Sequence, residues 1–274
     1  MRILKLCVAL LALCPTMASA QSADRIAAVT PALDRIFADF QLDSHAPGLV
    51  YGVVADGRLV HVKAFGVQDL EAKRAVTPDS LFRIASMSKA FTALAILKLR
   101  DEGKLSLDAP AETYVPEMRG WRYPTADSPK IRVRDLLNHT SGFVTDDPWG
   151  DRQQVITEAE FTKMLKDQPP FTRAPGLAFE YSNFGYALLG RIVTNVSGRP
   201  YDQYISANIQ KPLGMASTGY EVRDWPAERR AIGYRWENNA WSEEPTMRHG
   251  VFGAMGGVQT SANDYAKWVA FLLS

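Results

Sequence analysis

Asp56-Gly57 stands between two short runs rich in β-branched residues, Leu49–Val54 and Leu59–Val62, and this arrangement commits the stretch to a β-hairpin. The surroundings read as helical. Ile26, Val29, Leu33, Ile36 and Phe40 recur at helical spacing over 24–40, so an amphipathic helix is expected before the hairpin. After a short lead over Ser80–Ala85, the residues Phe91, Leu94, Ala95, Leu97 and Leu99 mark a long helix that Gly103 stops. Between Pro-rich loops, further helices are expected over Glu158–Lys166 and Tyr186–Val196, the second closing at Gly198. The pattern turns strand-like again from 229 to 260, through Ala231–Arg235 and a Gly-rich stretch from Gly250 to Gly257. A last helix is expected from Ala262 to the end, with Tyr265, Trp268, Val269 and Leu272 on one face. Strands near both ends around a helical middle predict an α+β protein with a helical insertion.

The 274 residues, 46% hydrophobic and 22% charged, suffice for one sizeable core or two packed lobes. Arg2 and Lys5, the apolar run Ile3–Leu13 and the small residues Ala18-Ser19-Ala20 form the pattern of a secretory signal peptide, with cleavage expected after Ala20. The apolar run is too short for a stable membrane span. A lipoprotein reading of Leu11–Cys14 is disfavoured because Leu13 is bulky where a small residue is needed. Cys7 and Cys14 both fall inside the segment, so the processed chain is expected to have no disulfide, no thiolate nucleophile and no cysteine-ligated metal. Removing Arg2 and Lys5 from 31 basic residues, against 30 acidic ones, leaves 29 − 30 = −1. Such near-neutrality argues against a nucleic-acid or polybasic membrane partner. His45, His61 and His249 are scattered without ligand spacing, so no metal is expected, and no cofactor motif is found. The Gly-x-Ser-x-Gly elbow of the α/β-hydrolases is absent too.

Ser86-Met87-Ser88-Lys89 opens the long helix. Residues three apart lie one turn apart on the same face, which brings a lysine amine within reach of a serine hydroxyl. A serine hydroxyl needs such a neighbour to take its proton before it attacks a carbonyl, and a helix N-terminus offers N–H groups to the oxyanion that forms. Alone the motif is weak, because about one Ser-x-x-Lys arises by chance in a chain of this length. Without further context a helix-capping serine beside a surface lysine would be the better account.

The surrounding blocks change that balance. Phe82–Lys89 resembles the first catalytic motif of the class C β-lactamases, the penicillin-binding DD-peptidases and the family VIII carboxylesterases. Glu102–Asp108, Ile131–Gly142, Pro175–Tyr186 with Tyr181-Ser182-Asn183 inside it, Pro212–Met215 and Gly256–Thr260 with Asp264 are further blocks similar to this superfamily, in its order. The resemblance implies a β-lactamase/transpeptidase-like fold: an antiparallel sheet flanked by helices over 21–80 and 220–274, and a mostly helical lobe over 81–219. It implies that Ser86 attacks and is acylated, that Lys89 helps deprotonate it, that Tyr181 serves as base or proton shuttle, and that Asn183 binds substrate. Whether the amine is neutral or the phenol ionised stays open, since the two titrate as a coupled set. His139 belongs to a structural block in this comparison.

In the superfamily a third motif (Lys-Thr-Gly, or a His-x-Gly or Trp-Gly-Gly variant) lies on a strand beyond the helix in which this sequence stops, so a C-terminally truncated member is expected. Arg248-His249-Gly250 precedes the Gly256–Asp264 block and is in the wrong order to replace it. The expected function is that of an exported serine hydrolase, periplasmic or secreted, acting on a small ester, β-lactam or D-amino-acid peptide, with esters slightly favoured. The rival is a non-catalytic penicillin-binding or cell-wall-sensing module, or an inactive homologue.

Overall fold

The computed structural model describes residues 24–146 and 153–274, so the signal-peptide reading over residues 1–20 lies outside the described residues. The chain divides into two compact units, one comprising the chain to Leu81 with Glu228–Glu244 and Ser261–Ser274, the other Phe82–Ala227 with Pro245–Thr260.

The first unit is built on the hairpin. β1 (Gly48–Ala55) and β2 (Arg58–Asp69) pair antiparallel with an irregularity at Val53/Val54, and β3 (Arg74–Ala75) continues the sheet in the order β1-β2-β3. Asp56 and Gly57 both take positive φ, 49° and 72°, the backbone a two-residue primed turn requires. Helix α1 (24–43) precedes β1, but its inward face is rotated from the one its spacing suggested. Val29, Ile36 and Phe40 are 51%, 60% and 56% exposed. Asp34 and Phe37 turn inward instead: the Phe37 ring stacks on Tyr51 at 4.0 Å, and the Tyr51 hydroxyl donates to Asp34 Oδ1 at 2.6 Å. One polar anchor plus one aromatic stack outweighs the apolar stripe in setting the helix rotation.

A second hairpin in this unit, β5 (Tyr234–Glu237) and β6 (Ala240–Glu243), turns through Asn238 and Asn239, both at positive φ. It is tied to the rest of the unit by Trp236, which stacks on His45 at 4.5 Å, and by Trp241, whose Nε1 donates to His45 O at 2.9 Å. The last helix, α8 (Ala262–Leu272), packs on β1 and β2 with Trp268 buried. Leu272, expected on its inner face, is exposed together with Phe271 and Leu273.

The second unit is mainly helical. Its centre is α5 (Asn183–Ser197), buried along its first eleven residues, against which α2 (Lys89–Asp101) and α3 (Val133–Leu137) pack. α4 (Glu158–Asp167) begins in a capping box between Thr157 and Glu160, and α6 (Tyr201–Ile205) follows α5 after Gly198, which closes α5 at φ 70°. Phe143, Phe161, Phe184 and Phe252 interlock in tilted and edge-on pairs to fill the core.

Gly250–Gly257 reads as strand but contains the one-turn helix α7 (Gly253–Gly256). Its glycines serve close approach. A Cβ on Gly253 would lie 2.2 Å from the Tyr201 hydroxyl, and one on Gly257 2.7 Å from Gly253 Cα. A Cβ on Gly190 of α5 would lie 2.6 Å from Ala254 Cβ, so the contact between α5 and α7 also depends on a missing side chain. Beyond α7, β7 (Gln259–Thr260) pairs antiparallel with β4 (Phe82–Arg83), the strand that leads to Ser86.

Candidate active site

Ser86 lies in a single 3-10 turn, Ala85–Ser88, that runs directly into α2. In that geometry side chains three apart eclipse one another, so Lys89 stands above Ser86 more directly than in an α-helix. The first bond of the turn is donated by Met87 N–H to Ile84 O at 3.1 Å. The Ser86 N–H therefore has no partner within the turn, as suits an oxyanion donor. Ala85, just before the nucleophile position, is held at φ 44°, a left-handed conformation that costs a non-glycine residue roughly 1–2 kcal/mol.

Three polar contacts fasten this turn and the start of α2 to the segment Ala254–Val258. Ser88 Oγ accepts the Val258 N–H at 3.0 Å, Thr92 Oγ1 donates to Ala254 O at 2.6 Å, and Lys89 Nζ donates to Met255 O at 2.9 Å. Lys89 is buried, and its Nζ also reaches Asn183 Oδ1 at 2.7 Å and Ser86 Oγ at 3.0 Å. Two of the three directions around this nitrogen end on oxygens that only accept. Any proton passing between the amine and the serine must therefore use the third.

Tyr181 completes the group. Its hydroxyl lies 2.5 Å from Ser86 Oγ, and Lys89 Nζ stands 4.8 Å from the centre of its ring. The structure thus brings Ser86, Lys89, Tyr181 and Asn183 together, all in the second unit. Asn183, for which the resemblance implied a substrate contact, is wholly buried with its Oδ1 engaged by Lys89. In this structure it holds the lysine.

Asp146 was not legible as a site residue. Its carboxylate accepts the N–H groups of Asn183 and Phe184 at 2.7 Å each, while Ser182 Oγ accepts that of Gly185 at 3.1 Å. Three of the orphan donors at the start of α5 are satisfied in this way, which is why the helix begins at Asn183 rather than at Tyr186. No sequence spacing marks Asp146, because the contact spans 37 residues. His139, which the resemblance assigned to a structural block, packs against this group. Its ring stacks on Tyr181 with centroids 4.6 Å apart and planes 25° apart. Burial, then the Lys89 charge, holds this imidazole down to about 4, so the ring is neutral at pH 7.

Among the described residues no group of three or more His, Cys, Asp or Glu side chains could hold a metal ion, and no helix is long and apolar enough to cross a membrane.

A family model described as Beta-lactamase matches residues 33–274. Protein flp of Staphylococcus aureus (strain COL) is 32% identical over 243 residues, which cover 84% of this chain and 46% of that protein. Esterase EstB of Burkholderia gladioli is 30% identical over 237 residues, covering 82% of this chain and 59% of that protein. Among solved structures, the octameric penicillin-binding protein homologue from Pyrococcus abyssi superposes with a TM-score of 0.77 at 30% identity, over 88% of this chain and 56% of that one. The chain spans about half the length of the curated relatives it matches.

Proposed function

Because the chain belongs to the Beta-lactamase family and has its α+β, β-lactamase/transpeptidase-like fold, we propose that it is an exported serine hydrolase that works through an acyl-serine on Ser86. The observation that carries this reading is the convergence of two groups on one oxygen: Ser86 Oγ lies 2.5 Å from the Tyr181 hydroxyl and 3.0 Å from Lys89 Nζ. Oγ attacks the substrate carbonyl carbon as its proton passes into the Tyr181–Lys89 pair. The carbonyl oxygen takes the negative charge and faces the Ser86 N–H. Collapse of this intermediate expels the leaving group, which receives the proton through Tyr181. Water then attacks the acyl-serine, gives up its proton by the same route, and Ser86 is regenerated with release of the acid.

Esters are the favoured substrates. Met87 follows the nucleophile and is 48% exposed, and Leu177 and Phe179, four and two residues before Tyr181 in the chain, are 73% and 67% exposed. These apolar side chains suit an alkyl or aryl ester better than a charged peptide, and the relative named an esterase supports the same choice. Export rests on the basic, apolar and small-residue pattern over residues 1–20.

The test is covalent labelling by a fluorophosphonate and by a fluorescent penicillin, with turnover of a short-chain nitrophenyl ester and of a chromogenic cephalosporin. Labelling of the parent chain but not of Ser86→Ala, with the ester turned over faster, is the expected result. Labelling by penicillin without turnover of either substrate would favour a penicillin-binding module instead, and no labelling at all would remove the enzyme reading. Cephalosporin turnover far above that of the ester would overturn the preference for esters.

A further inference from the structure

We propose that His139 is a positioning residue that sets the Tyr181 phenol against Ser86, an inference that rests on the reading of Tyr181 as the proton-transfer group. Three contacts made by this one residue converge on Tyr181. Its carbonyl accepts the Glu180 N–H at 2.7 Å, its Nδ1 accepts the Ser182 N–H at 3.1 Å, and its ring stacks on the Tyr181 ring. In an extended segment the N–H groups of residues two apart point the same way. A single histidine therefore grips the backbone on both sides of Tyr181 while lying flat against the side chain between. Tyr186 at 5.1 Å and Phe179 at 5.5 Å close in on the same imidazole from other sides, leaving the stacked pair little room to tilt.

A second observation comes from the backbone. α3 ends in a Schellman motif: Thr140 N–H donates to Asp135 O at 2.8 Å and His139 N–H to Leu136 O at 3.4 Å, with His139 at the left-handed position, φ 57°. Glycine is the usual occupant there, and asparagine the next most tolerant. A histidine held in that conformation is explained by what its ring does: it is the side chain, not the helix stop, that requires it. The Nδ1 contact also fixes the tautomer. Accepting from Ser182 N–H leaves Nε2 as the protonated nitrogen of the neutral ring.

The experiment compares the full chain with His139→Gly, His139→Asn and Ser86→Ala in ester turnover, fluorophosphonate labelling rate and thermal melting. Glycine and asparagine both suit the left-handed position, so a role confined to ending α3 predicts melting and turnover close to the parent. Positioning instead predicts that His139→Gly melts near the parent temperature while kcat and the labelling rate fall about 100-fold, the scale of a misplacement of about 1 Å. KM stays within about two-fold, because the ground-state contacts of the substrate are intact. Added imidazole, which can refill the vacated ring site, restores part of the rate in His139→Gly and none in Ser86→Ala. Parent-like kcat in a folded His139→Gly or His139→Asn protein would overturn the proposal. A parent chain that takes no label and turns over no ester would instead sink the reading of Tyr181 on which it rests, so the two failures are separable.

Discussion

Neutral His139 ties folding to pH over a range in which few other groups change charge. In the folded chain the ring titrates near 4, against about 6.5 in an unfolded one. Between those values the unfolded chain binds more protons than the folded chain, so stability rises with pH. The contribution is fully present above about 6.5 and is lost as pH falls towards 4. Linkage over this interval puts the loss between pH 7 and pH 5 at about 2 kcal/mol for a fully shielded ring. His139 is only part-buried, so screening reduces the expected loss to about 1 kcal/mol. The measurement is urea unfolding at both pH values for the parent and for His139→Asn, read as a difference of differences so that His45, His61 and His249 cancel. The parent should lose about 1 kcal/mol more than the variant. Equal losses would refute the claim that the fold holds this imidazole neutral.

Other substitutions probe the same neighbourhood. Lys89→Met should lower the acylation rate about 10²–10⁴-fold, measured by stopped-flow labelling. The same change leaves Asn183 Oδ1 and Met255 O without their amine donor, which should cost about 1–3 kcal/mol in urea unfolding. Gly190→Ala puts a Cβ within 2.6 Å of Ala254 Cβ and should destabilise the chain by about 1–3 kcal/mol, with α7 and the Met255 carbonyl pushed away from Lys89. A melting temperature equal to that of the parent would show that the helices have room to part. Asp146→Ala exposes the Asn183 and Phe184 N–H groups at the start of α5, for an expected loss of about 2 kcal/mol and a slower labelling rate as Asn183 shifts from Lys89.

Features that depend on a few neighbouring residues were readable from the chain alone. The Asp56-Gly57 turn lies where its dipeptide predicts, and Ser86 and Lys89 meet because three residues of helical backbone suffice to bring them together. The α+β class and the family resemblance followed from the order of such local blocks. Long-range contacts could not be read in this way. The rotation of α1 is set by Tyr51, seventeen residues beyond Asp34; the start of α5 depends on Asp146, and the short helix at Gly253 on the approach of Tyr201 and Gly190. His139 belongs to a structural block in the sequence comparison and becomes the partner of a phenol only when residues more than forty positions apart pack ring on ring. Local backbone preference is written into adjacent residues, whereas stacking, capping and burial depend on which distant surfaces the folded chain brings into contact.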